Sequence, residues 1–302
     1  MLELFYSDRF LLPLPDGHRF PMAKYRLLRE AVEERSLPIG HSLTVPEPAG
    51  RADLERVHDP EYLDSVFAGT LDERRVRRLG FPWSPQLVER SLRSVGGTLA
   101  AARSSLNGAT GINLAGGTHH AFRDRGEGFC VFNDIAVAAR AVLAAGVAAR
   151  ILIVDCDVHQ GDGTASIFAG DDAIRTLSIH GATNYPLKKE TSDLDVALAD
   201  GTGDTEYLEA LARALDAALD WGPYDLAFYL AGADPYEGDR FGRLALTRAG
   251  LAVRDRSVYR WAGARNLPIA TVMGGGYAAD EAVIASLHYQ TLEQAALALA
   301  GS

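Results

Sequence analysis

The sequence predicts an α/β protein in which a parallel β-sheet is covered by helices on both faces. Short apolar runs flanked by Gly, Asp or Pro recur along the 302 residues, and each is hydrophobic on both faces, as expected of strands buried within a parallel sheet. Longer segments with helical periodicity separate these runs. The chain contains no Pro/Ser-rich linker, low-complexity tract or internal repeat that would divide it. We therefore expect a single domain over residues 1–302.

Predicted strands and helices alternate along the chain. The predicted strands are GINLAGG (111–117), RILIVDCDV (150–158), AIRTLSIH (173–180), YDLAFYLAGAD (224–234) and LPIATVMGGG (267–276). The predicted helices cover 86–106, 133–147, 205–220, 244–264 and 280–299. Several strands end in turns that contain Gly or Asp, and open α/β sheets bind their ligands at this carboxyl edge. Functional residues should therefore lie in the turns that follow the strands.

The composition limits the partners that the chain can have. Its 30 Lys and Arg residues against 40 Asp and Glu residues give a formal net charge of −10. This balance disfavours nonspecific binding to nucleic acid, because a phosphate backbone favours a basic protein face. A short arginine run, RRVRR (74–78), departs from the acidic balance, and we interpret it as the solvated face of a helix.

The cysteines and the N-terminus predict a cytoplasmic setting. Cys130 and Cys156 are too few for a thiolate zinc site or a disulfide scaffold. The opening segment MLELFYSDRF lacks the basic-then-apolar order of a signal peptide. No uninterrupted apolar run approaches the roughly 20 residues of a membrane-spanning helix. We expect a protein that binds neither membranes nor nucleic acid.

The densest group of polar residues follows the most hydrophobic predicted strand. Asp155, Asp157 and His159 alternate along the chain, so that their side chains share one face and can converge on a cation. Ionisable groups at the end of a buried strand are unfavourable unless they are paired or bind a metal. The alternative is that they cap the next helix and pair with arginines. Glycines 161 and 163 allow a tight turn that returns Asp162 towards this face.

Three further motifs follow predicted strands. His119 and His120 come after two glycines, and in such a loop both can line one cavity, each held in one tautomer by a carboxylate; two structural histidines are the alternative. Asp234 reaches the same edge, where with Asp157 and His159 it completes three ligands and leaves a coordination position for water, unless it caps a helix. Tyr277 follows three glycines that lack the spacing of a nucleotide loop.

Together the four motifs predict a metal-dependent hydrolase. The metal would polarise a carbonyl and lower the pKa of a water towards ~7, and a histidine would remove the proton of that water. Tyr277 would donate a hydrogen bond to the developing oxyanion.

These motifs resemble those of the histone deacetylase-like family, which has the arginase/deacetylase fold. The matching segments keep the family's order and are VHDPEY (57–62), GGTHH (116–120), GFCVFND (128–134), DCDVHQGDG (155–163), GAD (232–234), GDR (238–240) and GGGY (274–277). Within the family the motif sequences are most similar to those of the class IV-like and bacterial branch, which carries Gln at the position of Gln160. The resemblance implies one catalytic domain built on a sheet of about eight strands.

The resemblance also implies a role for each motif residue. Zinc would be bound by Asp157, His159 and Asp234, and structural potassium by Asp155, Asp157, His159, Ser178 and Ile179. The catalytic residues would be His120 oriented by Asp162, His119 paired with Asp155, and Tyr277. Substrate would contact Gly128, Phe129, Tyr185 and Gly275. Ligands of the Asp and His type also suit Fe²⁺ or Co²⁺, and metal availability usually decides between them.

The implied reaction is removal of an acetyl or longer acyl group from a lysine side chain of a protein or peptide. Acetylpolyamines and other small acyl-amines are alternative substrates. By the same resemblance, residues 80–85 replace the loop in which nuclear deacetylases carry an aspartate that clamps the substrate backbone, so that strong recognition of the peptide backbone is not expected. The chain also lacks an insertion of the kind that narrows the site in acetylpolyamine amidohydrolases, and a more open channel is therefore expected. A two-manganese ureohydrolase would need a further carboxylate near Asp234, but Asp239 lies five residues on. A non-catalytic acyl-lysine-binding protein is disfavoured because every motif residue is retained.

Overall fold

A computed structural model describes residues 1–300, which contain eight β-strands and ten α-helices. The strands are β1 (Leu2–Phe5), β2 (His41–Thr44), β3 (Thr110–Asn113), β4 (Ile151–Asp155), β5 (Ile174–Gly181), β6 (Leu194–Leu198), β7 (Leu226–Gly232) and β8 (Ile269–Gly274). The helices are α1 (Ala23–Glu34), α2 (Arg51–Leu54), α3 (Pro60–Ala68), α4 (Glu73–Leu79), α5 (Pro85–Leu106), α6 (Asp134–Ala144), α7 (Asp162–Phe168), α8 (Asp204–Ala217), α9 (Arg248–Gly263) and α10 (Glu281–Ala300).

The strands form one sheet in the order β2-β1-β3-β8-β7-β4-β5-β6, and every neighbouring pair is parallel. Successive side chains of a strand enter opposite cores. Ile151 and Ile153 of β4 pack in one hydrophobic cluster with α3, α5, α6 and α7. Leu152 and Val154 pack in the other cluster with α1, α8, α9 and α10. The predicted parallel sheet with helices on both faces is therefore confirmed.

All five predicted strands and all five predicted helices are present, with boundaries that shift by a few residues. The sequence did not indicate β1, β2 and β6. Strands β2 and β6 are the edges of the sheet, where partly exposed residues interrupt the apolar run on which the prediction relied. The arginine run 74–78 lies on α4, and its four arginines are exposed, as predicted.

Among the helices that residues 1–300 form, none has the combination of length and hydropathy required to cross a bilayer.

The strand order places the four sequence motifs side by side. Strands β3, β8, β7 and β4 are consecutive in the sheet, and their carboxyl ends lead into the segments 116–120, 275–277, 233–235 and 156–162. A parallel arrangement brings all four turns to the same edge.

Polar residues at the start of α6 hold the loop that follows β3. The Asn133 side chain caps α6 at Ala136 N and donates to Ala121 O at 3.1 Å. Asp134 accepts from Thr118 N at 2.8 Å and Thr118 Oγ1 at 2.7 Å. These contacts explain the FND part of the motif at 128–134 as an anchor for the histidine loop.

His58 is a second anchor of the same loop. Its Nδ1 donates to Phe122 O at 2.8 Å and its Nε2 accepts from Asn133 N at 3.0 Å, so that the ring fits as a neutral imidazole. Burial lowers the pKa of His58 to about 4, from an ordinary value of 6.5. The unfolded chain therefore binds a proton between these two pH values that the folded protein does not accept.

This difference predicts an acid-sensitive contribution to folding stability. The contribution is complete above pH 6.5 and declines as the pH falls towards about 4, because only the unfolded state gains the proton. At pH 5 the loss from His58 is about 2 kcal/mol. His58→Gln should lower the stability at pH 7.5 but reduce the difference between pH 7.5 and pH 5 by about 2 kcal/mol, measured by urea unfolding. An unchanged pH difference would contradict the assignment.

Candidate active site

Asp157, His159 and Asp234 form a compact buried cluster that can hold a metal ion. Each offers a ligand atom, and these atoms lie within 4.8 Å of one another. His159 Nδ1 lies 2.9 Å from Asp157 Oδ1 and 3.3 Å from Asp234 Oδ2. Asp234 is fully buried, yet its Oδ2 accepts no hydrogen bond within residues 1–300. A cation would satisfy this oxygen, and two carboxylates with one imidazole suit a hard or borderline divalent ion.

The electrostatics of the cluster also favour a cation. Burial and the neighbouring Asp157 carboxylate raise the pKa of Asp234. Burial opposes charge on His159, but Asp157 and Asp234 outweigh it and raise the pKa of His159 to about 10 in the metal-free protein. A bound metal would take the place of that proton, because a ligand imidazole must be neutral.

Two buried His-Asp pairs lie next to the cluster. His119 Nδ1 is 2.7 Å from Asp155 Oδ2, and His120 Nδ1 is 2.6 Å from Asp162 Oδ1. The two imidazole centroids are 4.2 Å apart. The structure thus brings together both pairs that the sequence predicted, and each carboxylate holds the Nδ1 side of its histidine.

The two histidines differ in charge. Burial disfavours a charged His119, but Asp155 and Asp157 raise its pKa to about 9. Burial, with the charges of His119 and His159, lowers the pKa of His120 well below its ordinary value. Burial raises the pKa of Asp162 to about 6. Of the two adjacent rings, His120 is therefore the one that is neutral and able to accept a proton.

Tyr277 is held through its backbone. Asp239 Oδ2 accepts from Tyr277 N at 2.6 Å, and Arg240 Nε donates to Tyr277 O at 2.7 Å. Lys24 is buried and donates its ammonium to the carbonyl of Gly275. Burial, with the charges of Asp157 and Asp234, raises the pKa of Tyr277, so that its hydroxyl stays protonated and can donate.

Gly275 shows why the tyrosine follows a glycine run. Its φ is +58°, in the left-handed region, and a Cβ at this position would collide with the Asp234 carboxylate. A larger residue would therefore displace a member of the metal cluster.

A channel leads to the cluster from the surface. The cavity has a volume of about 550 Å³ and is lined by most of the predicted site residues. Those residues are His119, His120, Gly128, Phe129, Asp157, His159, Tyr185, Gly275 and Tyr277. Asp155, Asp162 and Asp234 lie behind this surface, in contact with the histidines.

Two aromatic rings form walls of the channel. Phe129 has φ +68°, which is unusual for a bulky residue, and its backbone N–H donates to Leu79 O at 2.8 Å. Such strained conformations concentrate at functional sites. The Tyr185 ring lies 4.9 Å from the His120 ring, and its hydroxyl donates to Glu127 at 2.5 Å. Phe129 and Tyr185 both line the cavity, and of residues 80–85 only Gly80 does so.

The predicted potassium ligands belong to the end of β4, to the segment that follows it and to β5. Asp155 is paired in register with Ser178, and both are buried. Asp155 Oδ1 accepts from Asp157 N at 3.0 Å, and Ser178 Oγ lies 2.9 Å from His180 Nδ1. Asp155 therefore contacts both the His119 pair and the loop that carries the metal cluster.

The sequence indicated some of these supporting residues only indirectly and missed others. Asp239 and Arg240 belong to the GDR motif, but no role was assigned to them. Lys24 and Arg254 were missed, because isolated basic residues in helices carry no motif; they become visible only when the chain folds back on the site.

Arg254 fixes the backbone beneath the metal cluster. Its Nη1 donates to Gly232 O at 2.6 Å and to Cys156 O at 3.2 Å. Gly232 lies two positions before Asp234, and Cys156 lies immediately before Asp157. The guanidinium pairs with Asp255 at 2.8 Å, and both side chains are 1% exposed. Asp255 also accepts from Tyr229.

Removing the positive charge of Arg254 should destabilise the protein strongly. Arg254→Met leaves the buried Asp255 carboxylate without its counter-ion and removes the guanidinium donor of two backbone carbonyls, so that we expect a loss of about 3–5 kcal/mol in urea unfolding. Arg213→Met on the exposed face of α8 is the matched control and should change the stability by less than about 0.5 kcal/mol. Equal stabilities for both variants would show that Arg254 does not support the site.

The fold and the site define the class of protein: an α/β enzyme whose parallel sheet carries, at one edge, a buried Asp-His-Asp group able to hold a metal ion, two His-Asp pairs and a tyrosine beside a channel. A family model described as a histone deacetylase domain matches residues 18–293. The chain therefore belongs to the histone deacetylase family and is a hydrolase of the deacetylase type.

Individual proteins are similar to this chain over most of its length. An uncharacterized protein of Picosynechococcus is 46% identical over 273 residues, which cover 90% of this chain and 91% of that protein. Histone deacetylase 2 of Arabidopsis thaliana is 30% identical over 265 residues, which cover 85% of this chain and 68% of that protein. A crystal structure of a histone deacetylase homologue from Aquifex aeolicus shares the fold with a TM-score of 0.83 at 22% identity, covering 97% of this chain and 84% of the other.

Proposed function

We propose that this deacetylase is a zinc-dependent amidohydrolase that removes acetyl or longer acyl groups from lysine side chains, with Fe²⁺ as an alternative metal. The observation that carries the proposal is the convergence of Asp157, His159 and Asp234 with two His-Asp pairs and Tyr277 at the floor of one channel. When bound by the three ligands, a divalent ion would supply Lewis-acid activation of the acyl carbonyl and of the attacking water.

His120 is the proposed general base. Its Nδ1 is committed to Asp162, so that Nε2 is the nitrogen able to accept the proton of the attacking water. His119, which is held by Asp155, is the proposed proton donor to the leaving amine. The centroids of the His119 and His120 rings are 4.2 Å apart. Each histidine keeps its orientation through a carboxylate while protons move on its opposite side.

Tyr277 is the proposed stabiliser of the oxyanion that forms when water adds to the acyl carbon. Tyr277 lines the channel, Asp239 accepts from its backbone N–H, and Arg240 donates to its backbone carbonyl. A donor fixed in advance at the place where charge develops lowers the barrier, because it needs no reorganisation during the reaction. Collapse of the tetrahedral species then releases a carboxylate and a free amine.

A long, unbranched substrate suits the channel. Phe129 and Tyr185 are proposed to flank the aliphatic stem of an acylated lysine, with Gly128 and Gly275 allowing close approach. We further propose that Asp155, Asp157, His159, Ser178 and Ile179 surround a structural potassium ion beside the catalytic metal. Its charge would offset the buried carboxylates.

A binuclear ureohydrolase is the weaker candidate. Asp239 accepts from Phe241 N, Gly242 N and Tyr277 N, and is thereby engaged away from the metal cluster. The metal-ligand cluster found among residues 1–300 has three members, which suits one ion.

Removal of the Tyr277 hydroxyl tests the oxyanion role. Tyr277→Phe should lower kcat by about 10²–10³-fold on acetyl-lysine peptides while leaving the zinc content unchanged, since the loss of one oxyanion donor has an effect of this size. Tyr224→Phe, whose hydroxyl donates to Ala218 O far from the channel, is the matched control and should keep its activity. Full activity in Tyr277→Phe would refute the assigned role.

Metal binding can be tested without an activity assay. Zn²⁺ added to the metal-free protein at about 100 times its Kd should stabilise the fold by about 2.7 kcal/mol and raise the Tm by about 3–6 °C. Asp234→Asn should abolish most of this gain, whereas Asp216→Asn on the exposed face of α8 should keep it. Equal gains in both variants, measured by scanning calorimetry, would exclude the proposed ligand set.

A further inference from the structure

The mouth of the channel is positively charged, although the protein as a whole carries a formal charge of −10. Arginines line the cavity from three separate segments, and all of them are exposed: Arg19 before α1, Arg77 and Arg78 on α4, and Arg240 and Arg243 in the loop after β7. Among residues 1–300, the carboxylate that lines the same cavity is that of Asp157, which belongs to the metal cluster at the floor. We call these five residues the arginine rim.

Two members of the rim have no acidic partner. No carboxylate within residues 1–300 lies within 4.0 Å of Arg19, whose guanidinium sits 5.7 Å from the centre of the Phe241 ring. Arg240 donates Nε to the backbone carbonyl of Tyr277 and likewise has no carboxylate partner in that part of the chain. No carboxylate in that part of the chain therefore neutralises the charge of Arg19 or of Arg240.

The other members are only partly neutralised. Arg77 contacts Glu73 at 3.1 Å and Arg243 contacts Asp200 at 3.3 Å, but both pairs are exposed, where ion pairs are weak. Arg78 lies 3.9 Å from Glu127. The rim keeps a net positive charge.

The carboxylate of Glu127 does not cancel that charge, because it is already engaged. Arg125 Nε lies 3.2 Å from its Oε2, and the Tyr185 hydroxyl donates to its Oε1. Glu127 is therefore shared between Arg125 at 3.2 Å and Arg78 at 3.9 Å, and it neutralises Arg78 only in part.

We propose that the arginine rim selects acyl-lysines whose neighbouring residues are Asp or Glu. This inference rests on the proposed function, in which the acyl group reaches the channel floor and the residues that flank the lysine remain at the mouth. Carboxylates on those flanks would meet the unpaired guanidiniums of Arg19 and Arg240, and arginine is well suited to bind carboxylates. The same field repels lysine-rich segments and acylated polyamines, whose free amines are cationic.

The test compares matched acetyl-lysine peptides that carry Asp, Ala or Lys on both sides of the modified residue, with an acetylated polyamine as a fourth ligand. Peptide Kd is measured by fluorescence anisotropy on zinc-loaded Tyr277→Phe protein, and kcat/KM is measured on the zinc-loaded wild type. We expect the Asp series to exceed the Lys series by about tenfold in both quantities at low ionic strength, with the polyamine weakest. At about 0.5 M salt the difference should shrink to about twofold, because exposed charges are screened.

Charge reversal of the rim distinguishes a change of selectivity from misfolding, because misfolding would weaken the binding of all peptides and would not invert their order. The double variant R19E/R78E should invert the order of the Asp and Lys peptides while retaining the Ala peptide, because neither side chain touches the metal cluster. Arg213→Glu on α8 is the control, because one Arg-to-Glu substitution changes the net charge by the same amount there as at Arg19 or Arg78. Arg213 lies outside the cavity, and this variant should preserve the wild-type order of the peptides.

The outcomes separate the rim from the chemistry. Equal Kd values for the three peptide series, an order unaffected by R19E/R78E, or tighter binding of the polyamine than of the Asp peptide would overturn the selection by the rim. Turnover of all three peptides at equal rates would overturn it while supporting the deacetylase function. Binding in the expected order with no turnover of any peptide would support the rim and refute lysine deacylation.

Discussion

Two carboxylates buried side by side at the end of a parallel sheet constrain the parts around them. Asp157 and Asp234 share contact with His159 in the protein interior, where facing negative charges are unfavourable. The surrounding backbone compensates in part: Val158 N donates to Asp234 at 2.9 Å, and Arg254 holds two carbonyls directly beneath the cluster. One oxygen of Asp234 still has no donor within residues 1–300. A cation would complete the arrangement, because it would satisfy this oxygen and offset the charge of the two carboxylates.

The same constraint gives two adjacent histidines different surroundings. Asp155, the partner of His119, also accepts from Asp157 N, so that His119 belongs to the hydrogen-bond network of the cluster. Asp162, the partner of His120, begins α7 and stands apart from that network. The adjacent residues His119 and His120 are thus held by carboxylates that lie in different environments. Paired titratable groups whose surroundings differ in this way are typical of acid-base catalysis.

Much of this could be predicted from sequence, because buried strands and the motifs that follow them are local signals. Each central strand has an apolar run on both faces, and each ligand or histidine follows such a run. The edge strands β2 and β6 escaped prediction because half-exposed residues weaken the same signal. Lys24 and Arg254 escaped it for another reason: they contact the site across long stretches of chain, and nothing in their local sequence indicates which carbonyls they will meet.

The arginine rim shows how chemistry and selection are separated in this molecule. The floor of the channel is built from turns after the central strands, and its residue types follow from the reaction that the family motifs imply. The rim comes from the segment before α1, from α4 and from the loop after β7, and a solvated helix face is all that the sequence indicates for the arginines of α4. Charge at the mouth is free to vary without disturbing the buried cluster, because exposed guanidiniums make few obligatory contacts. Membership of the family therefore constrains which bond is broken more tightly than it constrains the substrate residues around that bond. In this protein the proposed selection of those residues depends on the arginine rim.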